Sequence, residues 1–506
     1  MSKRKVLDIL SKRVVILDGA MGTELQKKGM PAGVCPERWC LDNPGVLESI
    51  HRQYVDAGSD IIYTCTFGGN RLKLGQYGLD DVAGVNRELA RTAVRAAAGR
   101  ALIAGDIGPT GHFVKPFGSL AFEEAVEVFK AQISGLLDGG VDLLVIETQM
   151  DIQEARAALI AARELTDRFV MVTMTYEARG RTLNGTDPLS ALVTLQSLGA
   201  DAVGCNCSLG PDGMLDLIRT MKPYAKVPVV AKPNAGLPEL RDGKTVFTMD
   251  SDRFGMFVSE FANAGVNMLG GCCGTTPEHI RAVRSIVDSG AVKPQQPVRT
   301  ALSALSSARK TVLLGPDKPF IVIGERINPT GKKVLQEELL KGGFSMVRRL
   351  AREQEEAGAV LLDVNVGAPH IDERATLEEA VAVLSTATVL PLVIDTADVE
   401  AMERALRVYP GRALINSISA EPEKLERLLP LAARYGAMFI LLPLTGASVP
   451  RTADERIGII ETVIGRIGDY GFSLDDILVD GLVMTVSSDA HAADETLKTI
   501  EWCSRN

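Results

Sequence analysis

Three cysteines have the type and spacing to bind one metal ion. Cys207 ends the apolar run "AVGCNC", and Cys272 and Cys273 stand side by side at the end of "NMLGGCC". Adjacent cysteines form a poor disulfide, because that bond needs Cα atoms about 5.5 Å apart. Three thiolates on a tetrahedral Zn²⁺ would leave one position open, as in catalytic zinc sites. The alternative is inert packing, since free cysteine is among the most buried residue types.

The chain around the cysteine pair must change direction for both side chains to reach one ion. Successive residues of a strand face opposite sides, so the strand must break or bulge at this point. The glycines on either side of the pair permit that. A helix is predicted to follow, with Thr276 as N-cap and Pro277 at its first position. Its N-terminus would favour thiolate over thiol.

The elements that position these cysteines repeat along residues 1–290. Short apolar runs that end in polar residues alternate with amphipathic helices, and such runs suit strands buried on both faces of a parallel sheet. Eight units of this kind predict an α/β fold of the (β/α)8 TIM-barrel type, with the active site at the C-terminal strand ends. A doubly wound open sheet is the competing architecture. The predicted strands lie within 14–21, 60–67, 101–108, 142–148, 170–176, 202–207, 228–234 and 267–273.

The pattern stops and then restarts. Residues 291–318 are predicted to form a linker, because this region is rich in Pro, Ser, Gln and basic residues. Over 319–506 the pattern predicts a second TIM-type barrel in tandem, truncated after six βα units and followed by a helix over 494–506. An incomplete barrel would leave two unpaired strand edges. The six predicted strands lie within 320–328, 359–367, 391–396, 413–419, 437–445 and 476–483.

Composition and charge argue against several classes of protein. Hydrophobic residues make up 46% of the chain and charged residues 24%, which is typical of a soluble globular protein. A net charge of −9 disfavours nucleic acid as a partner. The sequence predicts neither a signal peptide nor a membrane span. Eight cysteines in 506 residues are too few for a disulfide scaffold, so a reducing cytoplasmic location is expected.

Five motifs of the first half lie at or beside the predicted strand ends: "DGAMGTEL" (18–25), "DIGPTG" (106–111), "NCSLGP" (206–211), "KPNAG" (232–236) and "GGCCGTTPEHI" (270–280). With them, the chain closely resembles the homocysteine S-methyltransferase family. The resemblance implies that the three cysteines bind zinc and that the homocysteine sulfur is the fourth ligand. It also implies the substrate contacts: Glu147 with the ammonium group, Asp18 and the amides near Ala20 and Met21 with the carboxylate end, and Asn234 beside the metal.

The second half carries "IGERINPTG" (323–331), "LDVNVG" (362–367), "DT" (395–396), "NSIS" (416–419) and "LVDG" (478–481). These motifs resemble the pterin-binding domain of cobalamin-dependent methionine synthases. The resemblance implies that a pterin ring is hydrogen-bonded by Asp395, Asn416 and Asp480. It further implies that the same rim is lined by Glu325, Asn328, Asp363 and Asn365.

The two halves together predict a methyltransferase that activates homocysteine as a zinc thiolate and methylates it to methionine. A free thiol has a pKa near 8.5, and coordination to a cation deprotonates it. The methyl donor would be methyltetrahydrofolate, acting through a cobalamin carried by another domain or protein, and no nucleic acid or membrane is expected as a partner. One alternative is a homocysteine methyltransferase with a sulfonium, betaine or free methylcobalamin donor. Another is a zinc-holding interaction module without enzymatic activity.

Overall fold

A computed structural model of the chain describes residues 2–241, 244–295, 303–446, 449–484 and 491–506. The chain divides into two compact units, Met1–Arg299 and Thr300–Asn506. Each unit contains one parallel sheet with helices between successive strands. In the described ranges, no helix has both the length and the apolar character needed to cross a membrane.

The first unit contains the predicted eight-stranded parallel sheet. The eight strands pair in the order β1-β10-β7-β6-β5-β4-β3-β2, and a parallel bridge between Leu17 and Ile61 joins the two ends of that order. The sheet is therefore a nearly closed barrel, which confirms the first-half prediction. Strands β8 and β9 form a separate antiparallel hairpin after β7. The strands of this unit are β1 (Val15–Ile16), β2 (Ile61–Tyr63), β3 (Leu102–Ile107), β4 (Leu143–Gln149), β5 (Val170–Met174), β6 (Ala202–Asn206), β7 (Val229–Lys232), β8 (Pro238–Arg241), β9 (Lys244–Phe247) and β10 (Met268–Leu269).

The helices of the first unit surround the barrel, and the first helix covers one end of the barrel core. Val6 and Leu10 of the first helix join the core cluster of the barrel, which sequence reasoning did not predict. Pro277 begins the last helix behind the N-cap Thr276, as predicted. The helices are α1 (Ser2–Leu10), α2 (Gly22–Lys27), α3 (Pro36–Asp42), α4 (Pro44–Asp56), α5 (Arg71–Leu74), α6 (Val82–Ala97), α7 (Phe122–Asp138), α8 (Ile152–Leu165), α9 (Pro188–Ser197), α10 (Pro211–Met221), α11 (Ser251–Asn263) and α12 (Pro277–Asp288).

Every second residue of a strand points into the barrel. Along β3, β4 and β7, towards the C-terminal end of each strand, these inward side chains change from apolar to polar. The core cluster includes Ala104, Val145 and Val230, all fully buried. Residues two positions apart in a strand share a face. The next inward-facing residues of these three strands are therefore polar, and the upper layer of the barrel contains Asp106, Glu147 and Lys232.

The second unit contains a six-stranded parallel sheet with its strands in sequence order, β13 to β18. All six predicted strands are present, and the C-terminal helix is α19. Within the described ranges, β13 and β18 each pair with a neighbour on one side only. The strands are β11 (Ser303–Ser306), β12 (Thr311–Leu314), β13 (Ile323–Ile327), β14 (Leu361–Val364), β15 (Leu392–Asp395), β16 (Leu414–Ser419), β17 (Met438–Leu442) and β18 (Ile477–Val479), and the helices are α13 (Lys333–Leu340), α14 (Ser345–Glu356), α15 (Glu373–Ala387), α16 (Val399–Val408), α17 (Pro422–Tyr435), α18 (Ala453–Ile467) and α19 (Ala492–Arg505).

The predicted linker over 291–318 is wrong for residues 303–314, where β11 and β12 form an antiparallel hairpin. Leu305 and Val312 are buried in one cluster with Leu361 and Met438 of the six-stranded sheet. The Pro, Ser, Gln and basic residues of this region led sequence reasoning to miss two short strands, from which Leu305, Val312 and the partly buried Leu314 pack into the core. The hairpin therefore belongs to the second unit.

Candidate metal centre and substrate cavity

The structure brings the three predicted cysteines together at the mouth of the first barrel. The Sγ atoms of Cys207, Cys272 and Cys273 all lie within 4.8 Å of one another, and those of Cys207 and Cys273 are 3.9 Å apart. Two sulfur ligands at about 2.3 Å from a tetrahedral ion lie roughly 3.8 Å apart. The Cys207–Cys273 distance matches this value, and the third sulfur lies close enough for the cluster to hold one shared metal ion.

The backbone at the cysteines departs from strand geometry, as the sequence predicted. Strand β10 ends at Leu269, three residues before Cys272. The Cys272 amide donates to the Pro233 carbonyl at 2.8 Å, and the Cys273 carbonyl accepts from Ala235 at 3.0 Å. Cys207 has a positive φ of 62°. A non-glycine residue in this region costs of order 1–3 kcal/mol, and such residues cluster at functional sites.

The donor set fits a cation. Hydrogen bonds from the Cys272 and Cys273 thiols hold the pKa of Cys207 well below its usual range, so the cluster stabilises negative charge on sulfur. Asn234 also hydrogen-bonds Cys207. Its Oδ1 atom is buried and has no hydrogen-bond partner among the described residues. This oxygen beside Cys207 is therefore an open acceptor that a water molecule or a bound ion could fill.

A buried ion pair lies beside the cluster. Lys232 donates to Asp18 Oδ1 at 2.8 Å, and its ammonium lies 3.5 Å from the centre of the Tyr63 ring. The second Asp18 oxygen accepts from the Tyr63 amide at 2.7 Å. Burial acts to lower the pKa of Lys232, but the Asp18 carboxylate raises it above its ordinary value, so the lysine stays charged. Sequence reasoning identified Asp18 and missed Lys232.

Glu147 is connected to the cysteines through Asn206, another residue that sequence reasoning missed. The Asn206 amide nitrogen lies 3.4 Å from Glu147 Oε2 and 3.9 Å from the sulfur of Cys272. Asn206 is fixed by Thr148, whose backbone amide donates to its oxygen at 2.8 Å. Burial, together with the charge of Asp18, raises the pKa of Glu147 to about 7, although Lys232 acts to lower it.

A cavity of about 570 Å³ opens above this layer. Four residues expected to contact the substrate line it: Asp18, Ala20, Met21 and Glu147. The Ala20 amide donates to Thr275 Oγ1 at 3.1 Å, and the contact of the amides near Ala20 and Met21 with a substrate carboxylate stays a prediction. The cavity is also lined by the three cysteines and by polar residues that the sequence did not single out, among them Tyr63, Lys73, Asp106 and Lys232.

The hairpin β8–β9 supports the cysteine loop and was not predicted. A Cβ atom on Gly274 would lie 2.3 Å from the Phe247 side chain, which shows how closely the hairpin packs on this loop. The sequence does contain a signal for it, since Asp-Gly between short strands is typical of a two-residue hairpin turn. That dipeptide, at 242–243, lies outside the described residues.

In the second unit, four of the seven predicted pterin-binding residues form hydrogen-bonded pairs at the strand ends. Asn416 donates to Asp363 at 2.8 Å, and Asn365 donates to Asp395 at 2.9 Å. Burial raises the pKa of Asp363 to about 7; the hydrogen bond from Asn416 opposes this shift, and the charges of Asp395 and Glu325 add to it. These pairs form an acidic, amide-rich rim.

Within the described residues, the other three predicted pterin contacts form no hydrogen bond with the two pairs. Glu325 is exposed, yet close enough for its charge to act on the buried Asp363 and the half-buried Asp395. The Asn328 side chain accepts from the Thr330 amide at 2.9 Å, within its own loop. Asp480 accepts from the Leu482 amide at 2.7 Å.

Comparison with known proteins gives a consistent result for both units. The model of the homocysteine S-methyltransferase family matches residues 15–287, and that of pterin-binding enzymes matches residues 324–503. The chain is similar to the methionine synthases of Mycobacterium tuberculosis and Mycobacterium leprae, with 32% and 30% identity over 98% and 96% of its length. It spans 44% and 42% of those relatives. The metallated homocysteine methyltransferase MmuM of Escherichia coli aligns with 56% of this chain and 99% of its own, at 21% identity and a TM-score of 0.48.

Proposed function

Since this chain belongs to the homocysteine S-methyltransferase family, we propose that its first unit binds homocysteine as a zinc thiolate for methylation to methionine. The observation that carries the proposal is the convergence of three cysteine sulfurs within 4.8 Å at the edge of a substrate-sized cavity. A reducing compartment such as the cytoplasm would keep these thiols available for the metal.

The residues around the cluster suit an amino-acid thiol. Cys207, Cys272 and Cys273 would hold the zinc ion. A bound zinc ion would supply the positive charge that keeps a substrate thiol deprotonated at neutral pH. Glu147 would accept hydrogen bonds from the substrate ammonium group. Asn206 positions Glu147 relative to Cys272, because its side chain lies between the two.

The second unit would bind methyltetrahydrofolate, the methyl donor. Support comes from the match to pterin-binding enzymes and from the rim of paired Asp and Asn side chains. The Asp carboxylates can accept hydrogen bonds from a flat heterocycle, and the Asn amides can both donate and accept them. Removing a methyl group from a tertiary amine needs a proton on the leaving nitrogen, so an acid with a raised pKa near this rim is useful. A cobalamin carried by another domain or protein would transfer the methyl group.

The test measures zinc and its sulfur ligands directly. We expect about one zinc per chain, three sulfur ligands by X-ray absorption, and a fourth on addition of homocysteine. Cys207→Ala should lose zinc and homocysteine-dependent methyl transfer from methylcobalamin. Cys205→Ala is the matched control, because Cys205 is buried nearby in β6 and is not part of the cluster.

Two results would reject the proposal: unchanged zinc in Cys207→Ala, or no fourth sulfur ligand when homocysteine is added to the wild type. Parallel assays with methylcobalamin, a sulfonium compound and betaine separate the possible donors. Transfer only from the sulfonium compound or from betaine would exclude the cobalamin route and favour the alternative donor class.

A further inference from the structure

The mouth of the first barrel contains two carboxylates that form no direct ion pair with a lysine or arginine of the described residues. Asp106 and Glu147 both line the cavity. Lys232 is paired with Asp18, and the ammonium of Lys73 lies 4.8 Å from the centre of the Phe67 ring. Among the described residues, no ion pair joins Asp106 or Glu147 to a lysine or arginine. Lys232 acts on both carboxylates only through space, without a hydrogen bond to either, so a cation in direct contact with them would come from a ligand.

The register of the sheet directs Asp106 into the barrel mouth. Asp106 lies opposite Val145 of the neighbouring strand β4, and Val145 is part of the barrel core. Ala104, two residues before Asp106, is also in that core. Paired residues of neighbouring strands share a face, as do residues two apart in one strand. Asp106 and Glu147 therefore point to the same side, one layer above the apolar interior.

The backbone around Asp106 is firmly held, whereas its side chain lacks a partner. The Asp106 amide donates to Thr64 Oγ1 at 2.9 Å, and its carbonyl accepts from Thr66 Oγ1 at 2.7 Å. The side-chain Oδ1 atom is buried and receives no hydrogen bond from the described residues, and the whole residue is only 5% exposed. Leaving such an oxygen unpaired is costly, so it is an open acceptor for a donor from outside the described residues, and its position in the cavity wall makes it accessible to a ligand.

Burial and the neighbouring Glu147 charge raise the pKa of Asp106 well above its usual range. A cationic ligand between the two carboxylates would remove that repulsion, because an opposite charge favours the ionised form. An ammonium group has three N–H donors, which is enough to serve both acids. A thiol that carries no amine could offer neither the charge nor these donors.

We propose that Asp106 is a second acceptor for the ammonium group of the thiol substrate, beside Glu147, and that it selects aminothiols over thiols that lack an amine. Asp106 is thus a specificity residue of the substrate cavity and takes no part in the methyl transfer itself. The inference rests on the proposed function, because it takes the ligand of the cavity to be homocysteine.

Calorimetric titration of the zinc-loaded protein with two thiols tests the proposal. Homocysteine and 4-mercaptobutanoate have the same chain length and carboxylate, but only the first carries an ammonium group. Asp106→Asn should weaken homocysteine binding by about tenfold or more, since hydrogen bonds to charged groups are strong. It should leave 4-mercaptobutanoate binding within about twofold. Asp106→Asn should also keep or raise the melting temperature of the ligand-free protein, because it removes the unfavourable interaction between the Asp106 and Glu147 carboxyl groups.

Asp142→Asn is the matched control. Its carboxylate accepts from the Ile103 amide at 3.0 Å, just before β4 and at the opposite end of that strand from the cavity. It should bind both thiols like the wild type. Asp106→Ser is made in parallel, so that a folding failure of one variant leaves the test intact.

Equal loss of affinity for both thiols, or no loss for homocysteine, would overturn the assignment of Asp106. Absence of homocysteine binding to the wild-type protein would instead reject the proposed function. The two failures are therefore distinguishable in the same experiment.

Discussion

Lys232 donates a hydrogen bond to Asp18 at 2.8 Å within the first barrel, and only 3% of each side chain is exposed. The two residues are 214 positions apart in the chain, so the pair joins the first strand of the barrel to the seventh. A buried pair adds little net stability compared with apolar residues, but removing one partner leaves an uncompensated charge.

Lys232→Met should therefore lower the free energy of unfolding by about 3–5 kcal/mol, because Asp18 is left buried and unpaired. The double variant Asp18→Asn, Lys232→Met should recover a large part of that loss. Urea unfolding of the zinc-loaded protein measures both. As a control, Arg219→Met breaks the exposed pair with Asp216 and should cost about 1 kcal/mol or less. A double variant no more stable than Lys232→Met would contradict this account of the pair.

Gly274→Ala should weaken zinc binding by disturbing the cysteine loop. Gly274 has a φ of 81°, and an added Cβ would lie 2.3 Å from Phe247 of the hairpin, so the loop or the hairpin must move. Gly290→Ala is the control: its φ is 75°, and no atom lies within 4 Å of the added Cβ. Both variants carry similar backbone strain, so competition with a chromophoric chelator should show a lower zinc affinity for Gly274→Ala alone. Equal affinities would show that the hairpin does not hold the loop in place.

The stability of the second unit should depend on the titration of Asp363. Its pKa rises from 3.8 to about 7 on folding, chiefly through burial, so the folded state binds this proton more tightly than the unfolded state. Its contribution to stability is therefore complete below pH 4 and is lost as the pH rises to about 7. The slope is at most about 1.4 kcal/mol per pH unit. Asp363→Asn removes the titration.

Urea unfolding at pH 5 and pH 8 checks this expectation. The stability of Asp363→Asn relative to the wild type should be greater at pH 8 than at pH 5. A difference between the two proteins that stays constant across this range would contradict the raised pKa. Glu355→Gln serves as a control carboxylate on helix α14, outside the Asp363 rim.

The strands of the two parallel sheets could be predicted because each lies in a continuous apolar run that ends in a polar residue, whereas the strands of the two hairpins were missed. The convergence of Cys207 with the Cys272–Cys273 pair followed from the same pattern, since parallel strands place their ends on one rim. Lys232 could not be identified in this way. A lysine after an apolar run ordinarily marks the surface, and its burial depends on Asp18, which is remote in sequence.

The hairpin of β11 and β12 illustrates a second limit of sequence reasoning. Leu305 and Val312 belong to strands of only four residues, and the Ser, Gln, Pro and basic residues around these strands resemble a linker. Their burial depends on the sheet that they cover. Asp106 illustrates a third limit. Its motif was recognised, but the direction of its side chain depends on the register between β3 and β4, which the sequence alone does not define.

The hairpin also determines where the two units can be separated for expression. A fragment that starts at residue 319 would lack β11 and β12 and would uncover the apolar side chains of Leu361, Val393, Leu414 and Met438. Such a fragment should aggregate, whereas one that starts before Ser303 keeps this cover. Recombinant production of the second unit therefore requires the twelve residues 303–314, although their linker-like composition would suggest leaving them out.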